Sequence, residues 1–496
     1  MAFVQNFPFF SIIMCLAGGV ISSILPGKYA RRLSIGLVSL IGIMTVGVLV
    51  WVLNHGSYTF MMGHFPAPWG NEIRAGVLEA VMALCFCIIM LLSVIGGARK
   101  VQEDVEEKKV NLYYVMIHLM MSSLLALIYT NDLFTAYVFV EINTIAACAI
   151  IMIRNNGHTL VAATKYMIMS LLGSGLLLIS LSTLYSITGH LLMSNIKEQV
   201  TVLAQTGEYA VPLTVIIGLL SVGLAIKSAL FPFHSWLPDA YSYSTPSSSA
   251  ILSSLVSKGY IFLLIKVFYR VIGFDVMVQY HVTDILFVFG VAGMIIGSVS
   301  AIKERDLRRM IAYSSVAQIG YIYMGMGLGI EAGMVAAVFH MISHAASKSM
   351  LFISANGLSE VSGGKKTFRE LQGSGLRSKA AGCGFTVGAL SMVGIPLFAG
   401  FTSKVYFAEA AITASTGKMA VAMIALAIST ILNAVYFLRA VVVIYMPKHN
   451  VKAAEGYRPS AMMVTAVVFF ILLNLGLGTM SNWLEMAIRQ GLAMFG

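Results

Sequence analysis

Residues 223–258 read GLAIKSALFPFHSWLPDAYSYSTPSSSAILSSLVSK, and the order of events in this stretch decides the fold. An apolar run carries Lys227 and is broken by Pro232. It resumes through a polar stretch, Thr245-Pro-Ser-Ser-Ser, and arrives at a second embedded cation, Lys258. Proline removes a backbone donor and frees a carbonyl, and such a break is tolerated at membrane depth only where protein or a water-filled cavity satisfies it. An ammonium at that depth costs about 2.5–3.5 kcal/mol even on translocon-type scales, so it needs a polar interior or a task.

The rest of the chain supplies the membrane. It is 58% hydrophobic and 11% charged, with a mean hydropathy of +0.86. A helical span needs about 20 mainly apolar residues, and about fourteen such stretches lie between Phe9 and Gln490. The fold class is therefore all-α and polytopic, with no room for a soluble globular domain. The N-terminal apolar run has neither a charged leading region nor a persuasive cleavage site, and is read as a retained first span.

A net charge of +11 could point to nucleic acid, but the basic residues fall in alternate short loops, which is an orientation signal. One side holds Lys28, Arg31, Arg32, Arg99, Lys100, Lys108, Lys109, Arg154, Lys303, Arg305, Arg308, Arg309, Lys365, Lys366, Arg369, Arg377, Lys379, Arg439, Lys448, Lys452 and Arg458. The other holds Arg74, Lys197, Lys266, Arg270, Lys418 and Arg489. The positive-inside rule makes the first set cytoplasmic and places both chain ends outside. The expected location is a bacterial or archaeal cytoplasmic membrane, and no nucleic-acid partner is expected.

Further charged groups lie inside apolar segments. Glu141 sits well within a span whose mouth carries Asp132, and a lysine on a neighbouring helix within about 4–6 Å would let both groups stay charged. The competing reading is a purely structural ion pair or a protonated, hydrogen-bonded glutamate. Lys227 stands one turn before the Pro232 break, with snorkelling as its alternative. The serines around Lys258 predict a hydrated midsection, although serines also serve close helix packing. His340, His344 and Lys348 recur every four residues on one helix face, a ladder suited to proton relay or simply to a packed polar seam. No metal is expected there, because a third ligand and the glutamate of HExxH are missing. Lys404 follows a second break at Gly394-Ile395-Pro396. Lys165, near the start of its span, suits function or snorkelling equally. Glu79 and His118 are embedded and isolated, and Asp239 and His234 are expected to shape the loop after the first break. Cys15, Cys85, Cys87, Cys148 and Cys383 show no recurring CxxC spacing, so disulfides, iron–sulfur ligation and zinc are not expected, and no cofactor is assigned.

The breaks with their lysines suggest an internal duplication. The chain divides into an N-terminal three-helix segment (1–109), five-helix units over 110–270 and 282–446, and a C-terminal helix (447–496). With these residues in place the sequence resembles the antiporter-like membrane subunits shared by respiratory complex I, membrane-bound hydrogenases and Mrp-type cation/proton antiporters. The resemblance rests on Phe231-Pro-Phe-His-Ser-Trp-Leu-Pro-Asp-Ala, Thr245-Pro-Ser-Ser-Ser-Ala, Arg308-Arg-Met-Ile-Ala-Tyr-Ser-Ser-Val-Ala-Gln-Ile-Gly-Tyr, the His344–Lys348 stretch and Gly394-Ile-Pro to Lys404. It implies fourteen helices with two inverted five-helix repeats, each containing a broken helix. It also implies site roles: Glu141 and Lys227 as a coupled pair, Lys258 as the bridge, His340, His344 and Lys348 as relay, and Lys404 as the exit.

Lysine at 258 and the lack of a C-terminal lateral helix are more similar to the Mrp D-type and central complex I subunits. Two departures are Val140, where an aromatic is frequent, and Lys404, where some relatives carry Glu. The expected function is proton translocation, with H⁺/Na⁺ exchange open, in a multisubunit redox-driven complex. Its partners would be other membrane subunits, related antiporter-like ones among them, and the lipid bilayer. The alternatives are the D-type subunit of a secondary Mrp Na⁺/H⁺ antiporter without redox partners, and a structural scaffold with a vestigial polar axis.

Overall fold

The computed structural model describes residues 3–62, 65, 70–447, 453–454 and 457–495; Lys448 and Lys452 of the charge pattern lie outside them. Helices α1 (Phe7–Ile24) and α2 (Gly27–His55) lead into a hairpin of β1 (Tyr58–Met61) and β2 (Glu72–Ala75), paired antiparallel with Tyr58 opposite Ala75. Then come α3 (Val77–Asp104), α4 (Val110–Tyr129), α5 (Leu133–Met152), α6 (Gly157–Thr188), the loop helix α7 (Met193–Thr206) and α8 (Ala210–Ser228). After the first break follow the short α9 (Leu237–Tyr243), α10 (Pro246–Ile251) and α11 (Ser257–Lys266), the last two joined by a π-helical turn over 252–256 and followed by another over 267–271. The second half holds α12 (Phe274–Gln279), α13 (Val282–Lys303), α14 (Leu307–Gly327), α15 (Glu331–Val361), α16 (Ser374–Arg377), α17 (Lys379–Val393), α18 (Ala399–Thr413) and α19 (Thr416–Tyr445). Helices α20 (Ala461–Thr479) and α21 (Ser481–Ala493) complete it.

Among the described residues eleven helices are long and apolar enough to cross a membrane, counting the α10–α11 composite as one. The remaining spans expected from the sequence are α14, α15 and the broken pair α17–α18, which fall short in apolarity or length. Their polarity has a packing reason. Helix α15 is buried almost without interruption from Gly333 to Ser359, wrapped by α3, α14, α17, α18 and α20, so its histidines, serines and lysine face protein rather than lipid. Helices α2, α6 and α19 instead show lipid-type surfaces, with Ile43, Ile168 and Ile431 well exposed.

One expectation needs correction at the C-terminal end. Hydropathy predicts a single span over 461–488, but the chain turns at Met480, and α21 lies against the start of α3, Gly491 on Leu78. Arg74 of the hairpin donates to the carbonyl of Met494, and Phe9 packs on Phe60. Both described ends therefore meet the hairpin on one face.

Candidate functional site

The first break forms because α8 cannot continue past Ser228. Ala229 adopts a left-handed conformation (φ 62°), and Leu230 N–H returns to the carbonyl of Ala225. This leaves Lys227 in the last helical turn, where the helix dipole favours a cation. Its Nζ lies 3.4 Å from Glu141 Oε1 and donates to Thr144 Oγ1 at 2.7 Å. Ser174 donates to the same carboxylate oxygen, and the Tyr260 ring stands 5.7 Å from Nζ. The lysine side chain is fully enclosed, whereas Glu141 is 27% exposed on the flank of α5.

Helix α8 reaches α5 only because it crosses α6 closely. A Cβ at Gly223 would stand 2.9 Å from the Gly173 carbonyl, and one at Gly173 would meet Lys227 Cγ at 3.1 Å. Gly223→Leu is accordingly expected to cost about 1–3 kcal/mol, the usual penalty of overpacking. Thermal unfolding in detergent checks this, and an unchanged midpoint would show that the crossing has slack.

Lys258 is completely buried and finds its partner in its own helix. In the π turn over 252–256, Ser253 turns its carbonyl to Nζ at 2.5 Å. Serines carry the polar seam onward: Ser253 to Ser315 at 3.2 Å, and Ser254 to Ser349 at 2.8 Å. Lys348, beside Ser349, donates to the Ile311 carbonyl at 2.9 Å and to Ser314. His344 sits one turn earlier on α15, with both ring nitrogens buried and without a protein partner. His340 follows, its ring 5.9 Å from that of His344, and its Nδ1 meets Ser403 Oγ at 3.0 Å.

Ser403 adjoins Lys404 on α18, across the second break. Helix α17 ends at Val393, and Gly394 (φ 91°) and Leu397 (φ 79°) turn the chain. Lys404 reaches back to the Val393 carbonyl at 2.7 Å, and the Tyr321 ring stands 5.7 Å from its Nζ. A Cβ on Gly394 would lie 2.9 Å from Lys404 Cδ, in backbone space that L-residues rarely enter. Gly394→Ala should cost about 1–3 kcal/mol and displace Lys404. A wild-type unfolding midpoint together with wild-type transport would contradict that.

Contacts through serines and ring neighbours bring Lys258, Lys348, His344, His340 and Lys404 into one polar seam, and Glu141 with Lys227 forms an ion pair of its own beside the first break. Among the described residues only Lys227 of these four lysines has a carboxylate within ion-pair distance. Lys165 does not join the seam. Its half-exposed side chain pairs with Asp239 at 2.6 Å, and Asp239 also takes Arg309 at 2.7 Å. Asp239 thus ties the loop after the first break to α6 and α14, and those two cations hold its carboxyl below the usual range although burial alone would raise it.

Glu79, expected to be isolated, is paired with Arg270 in a fully buried contact, and His118 binds Ser34 at 2.9 Å. The charge pattern puts Lys266 and Arg270 at a solvated loop end, and both are buried instead. Lys266 gathers the carbonyls of Leu127 and Ile128 at 3.1 Å, and that of Thr130, at the end of α4. Their place eight and twelve residues after Lys258 on one continuous helical stretch was the signal that could have revealed them.

Comparison with known proteins agrees with this fold. Residues 130–430 match the family described as NADH:quinone oxidoreductase/Mrp antiporter, TM. The chain is 31% identical to NADH-quinone oxidoreductase subunit N of Desulforudis audaxviator over 431 residues, covering 85% of this chain and 83% of that protein. It is 26% identical to the D-type subunit of the Na(+)/H(+) antiporter of Bacillus subtilis over 454 residues, 91% of this chain and 89% of that one. Two solved structures share the fold with a TM-score of 0.87, each covering 99% of this chain and 97% of the other. They are a chain of the membrane-bound sulfane sulfur reductase, an archaeal respiratory membrane complex, at 23% identity, and one of the Mrp complex from Dietzia sp. DQ12-45-1b, at 22%.

Proposed function

We propose that this chain, which belongs to the NADH:quinone oxidoreductase/Mrp antiporter transmembrane family, carries protons through the membrane along the row from Lys227 to Lys404. It is an antiporter-like subunit, and in this reading it works within a larger, redox-driven membrane complex. The observation that carries the reading is the contrast along the row. Lys227 has a carboxylate at 3.4 Å, while Lys258, Lys348 and Lys404 rest on backbone carbonyls and serine hydroxyls.

An ammonium keeps its proton while a carboxylate is close and gives it up to a neutral acceptor when that carboxylate withdraws. Glu141 can be drawn from Lys227 by its competing donor Ser174, and Thr144 can hold Lys227 meanwhile. The serine hydroxyls at 253, 254, 315 and 349 can bind the waters that a proton needs to pass between lysines. His340 and His344 stand between Lys348 and Lys404, and an imidazole can both take up and release a proton. Left-handed residues at both breaks, Ala229 and Gly394, each with a lysine beside them, support two related halves over 110–270 and 282–446.

The partially exposed Glu141 supports a neighbouring membrane subunit against α5, because a carboxylate at that depth is poorly placed against lipid. The orientation that fits the charge pattern puts the hairpin and both chain ends outside a bacterial or archaeal cytoplasmic membrane. The second reading, a D-type subunit of an Mrp Na⁺/H⁺ antiporter, is supported by the similarity to the D-type subunit of Bacillus subtilis over 91% of this chain. Reconstituted vesicles separate the readings. Proton movement that requires an opposing Na⁺ gradient, with no electron-carrying subunits co-purifying, supports the second; movement coupled to electron transfer supports the first. Absence of ion movement under either drive would defeat both.

A further inference from the structure

Helix α20 lies beyond residues 130–430, the stretch that matches the family, and the proposed path does not use it. One face of it nevertheless seats the second break. Asn474 and Gly478 stand one turn apart on that face. Asn474 is fully buried; its Oδ1 accepts from Ala399 N–H at 3.4 Å, and its Nδ2 donates to Ser347 Oγ at 2.7 Å. The Gly478 carbonyl accepts from Thr402 Oγ1 at 3.3 Å, and a Cβ on Gly478 would overlap the Leu397 carbonyl.

These contacts answer a need that the break creates. A helix begins with amides that have no acceptor within it, and α18 starts at Ala399 with Phe398, which offers no capping side chain, before it. Its first two amides are served by other helices instead: Ala399 N–H by Asn474, and Gly400 N–H by Ser391 Oγ at 3.2 Å. The hydrogen bonds run in one direction. Ser347 gives its hydroxyl proton to the Ser343 carbonyl at 2.9 Å, so Ser391 is the donor in its 3.2 Å contact with Ser347, and Ser347 Oγ accepts from Ser391 and Asn474 together. A carboxamide at 474 suits this place because it donates to Ser347 and accepts from Ala399 at once.

The break also needs holding. Leu397 has φ 79°, a conformation that a residue with a side chain keeps only where its surroundings impose it. Two contacts of the seam hang on the far side of this turn, within the first six residues of α18. Lys404 Nζ donates to the Val393 carbonyl at 2.7 Å, and Ser403 Oγ meets His340 Nδ1 at 3.0 Å.

We propose that Asn474 is a positioning residue for proton transfer at Lys404. By fixing the first turn of α18 it keeps Lys404 on the Val393 carbonyl and Ser403 on His340, which makes α20 part of the translocation machinery. This role rests on the reading that Lys404 carries protons.

The test uses the complex with the full chain in inverted vesicles, with dye-reported acidification measured across pH beside an immunoblot for assembly. Asn474→Leu, close in volume but without polar atoms, is expected to lower translocation about tenfold or more. It should also move the half-maximal pH of the rate about one unit lower, because an ammonium that loses its carbonyl acceptor gives up its proton more readily. Ser391→Ala removes only the acceptor of Gly400 N–H and should move the profile the same way by less; it decides the matter if Asn474→Leu fails to assemble. Thr479→Val, exposed on the same helix, should match the parent chain. Wild-type translocation in Lys404→Ala would defeat the reading of Lys404 itself. With Lys404→Ala impaired, a parental profile in both Asn474→Leu and Ser391→Ala overturns the role of Asn474, and so does a rate lowered by one factor at every pH, which marks a purely structural contact.

Discussion

Lys227→Ala is expected to lower proton translocation about a hundredfold or more, the scale on which a positioned proton-transfer group contributes, while the complex still assembles. The variant removes the ammonium that faces Glu141 and leaves Thr144 Oγ1 without the donor it accepts from, while Ser174 still donates to Glu141. A loss of function alone would not separate a proton carrier from a structural ion pair, and Lys227→Arg does so. Arginine preserves the charge and can still reach the carboxylate, but its guanidinium stays protonated in proteins. It should therefore assemble normally and yet transport as poorly as the alanine variant. Acidification of inverted vesicles, read with a pH-sensitive dye beside an immunoblot for assembly, makes the comparison. Wild-type rates in Lys227→Arg would rule out proton release from this site.

Arg270→Ala should be the most destabilising single change outside the seam, by about 3–5 kcal/mol, because it strands Glu79 as a buried, unpaired carboxylate. It also removes the cation that lies over Phe495. The double variant Glu79→Gln with Arg270→Gln should recover most of the loss, since neither partner is then charged, and this non-additivity marks a genuine pair. Denaturation in mixed micelles, followed by helical circular dichroism, gives the comparison. A loss under about 1 kcal/mol for Arg270→Ala would mean that the contact contributes little to stability.

The seam was readable in the sequence because its members break a local rule: a lysine inside an apolar run needs an explanation wherever it occurs. Both helix breaks were readable for the same reason, as Pro232 and Pro396 cannot continue a ladder of backbone donors. What escaped were the features that depend on neighbours. Lys266 and Arg270 look like the basic end of a span, and only the approach of α3 and of the end of α4 encloses them. Lys165 looks as embedded as Lys227, but it faces outward to Asp239. Hydropathy records how apolar a segment is, not which side of it meets protein. The same limit explains α14 and α15, whose polarity hides their placement, and α21, whose turn at Met480 follows from packing on α3.

The π turn ahead of Lys258 has an evolutionary corollary. A π turn holds one residue more than α-helical winding would need. Losing any one residue from 252–256 would rewind the helix and rotate everything before it by about 100° relative to everything after it. Ser247 would then turn from the Ser93 carbonyl and Ser249 from the Tyr241 carbonyl that they now donate to, although composition and hydropathy would hardly change. Descendants of this chain can therefore exchange apolar residues freely along the helix, but they cannot change its length there by one.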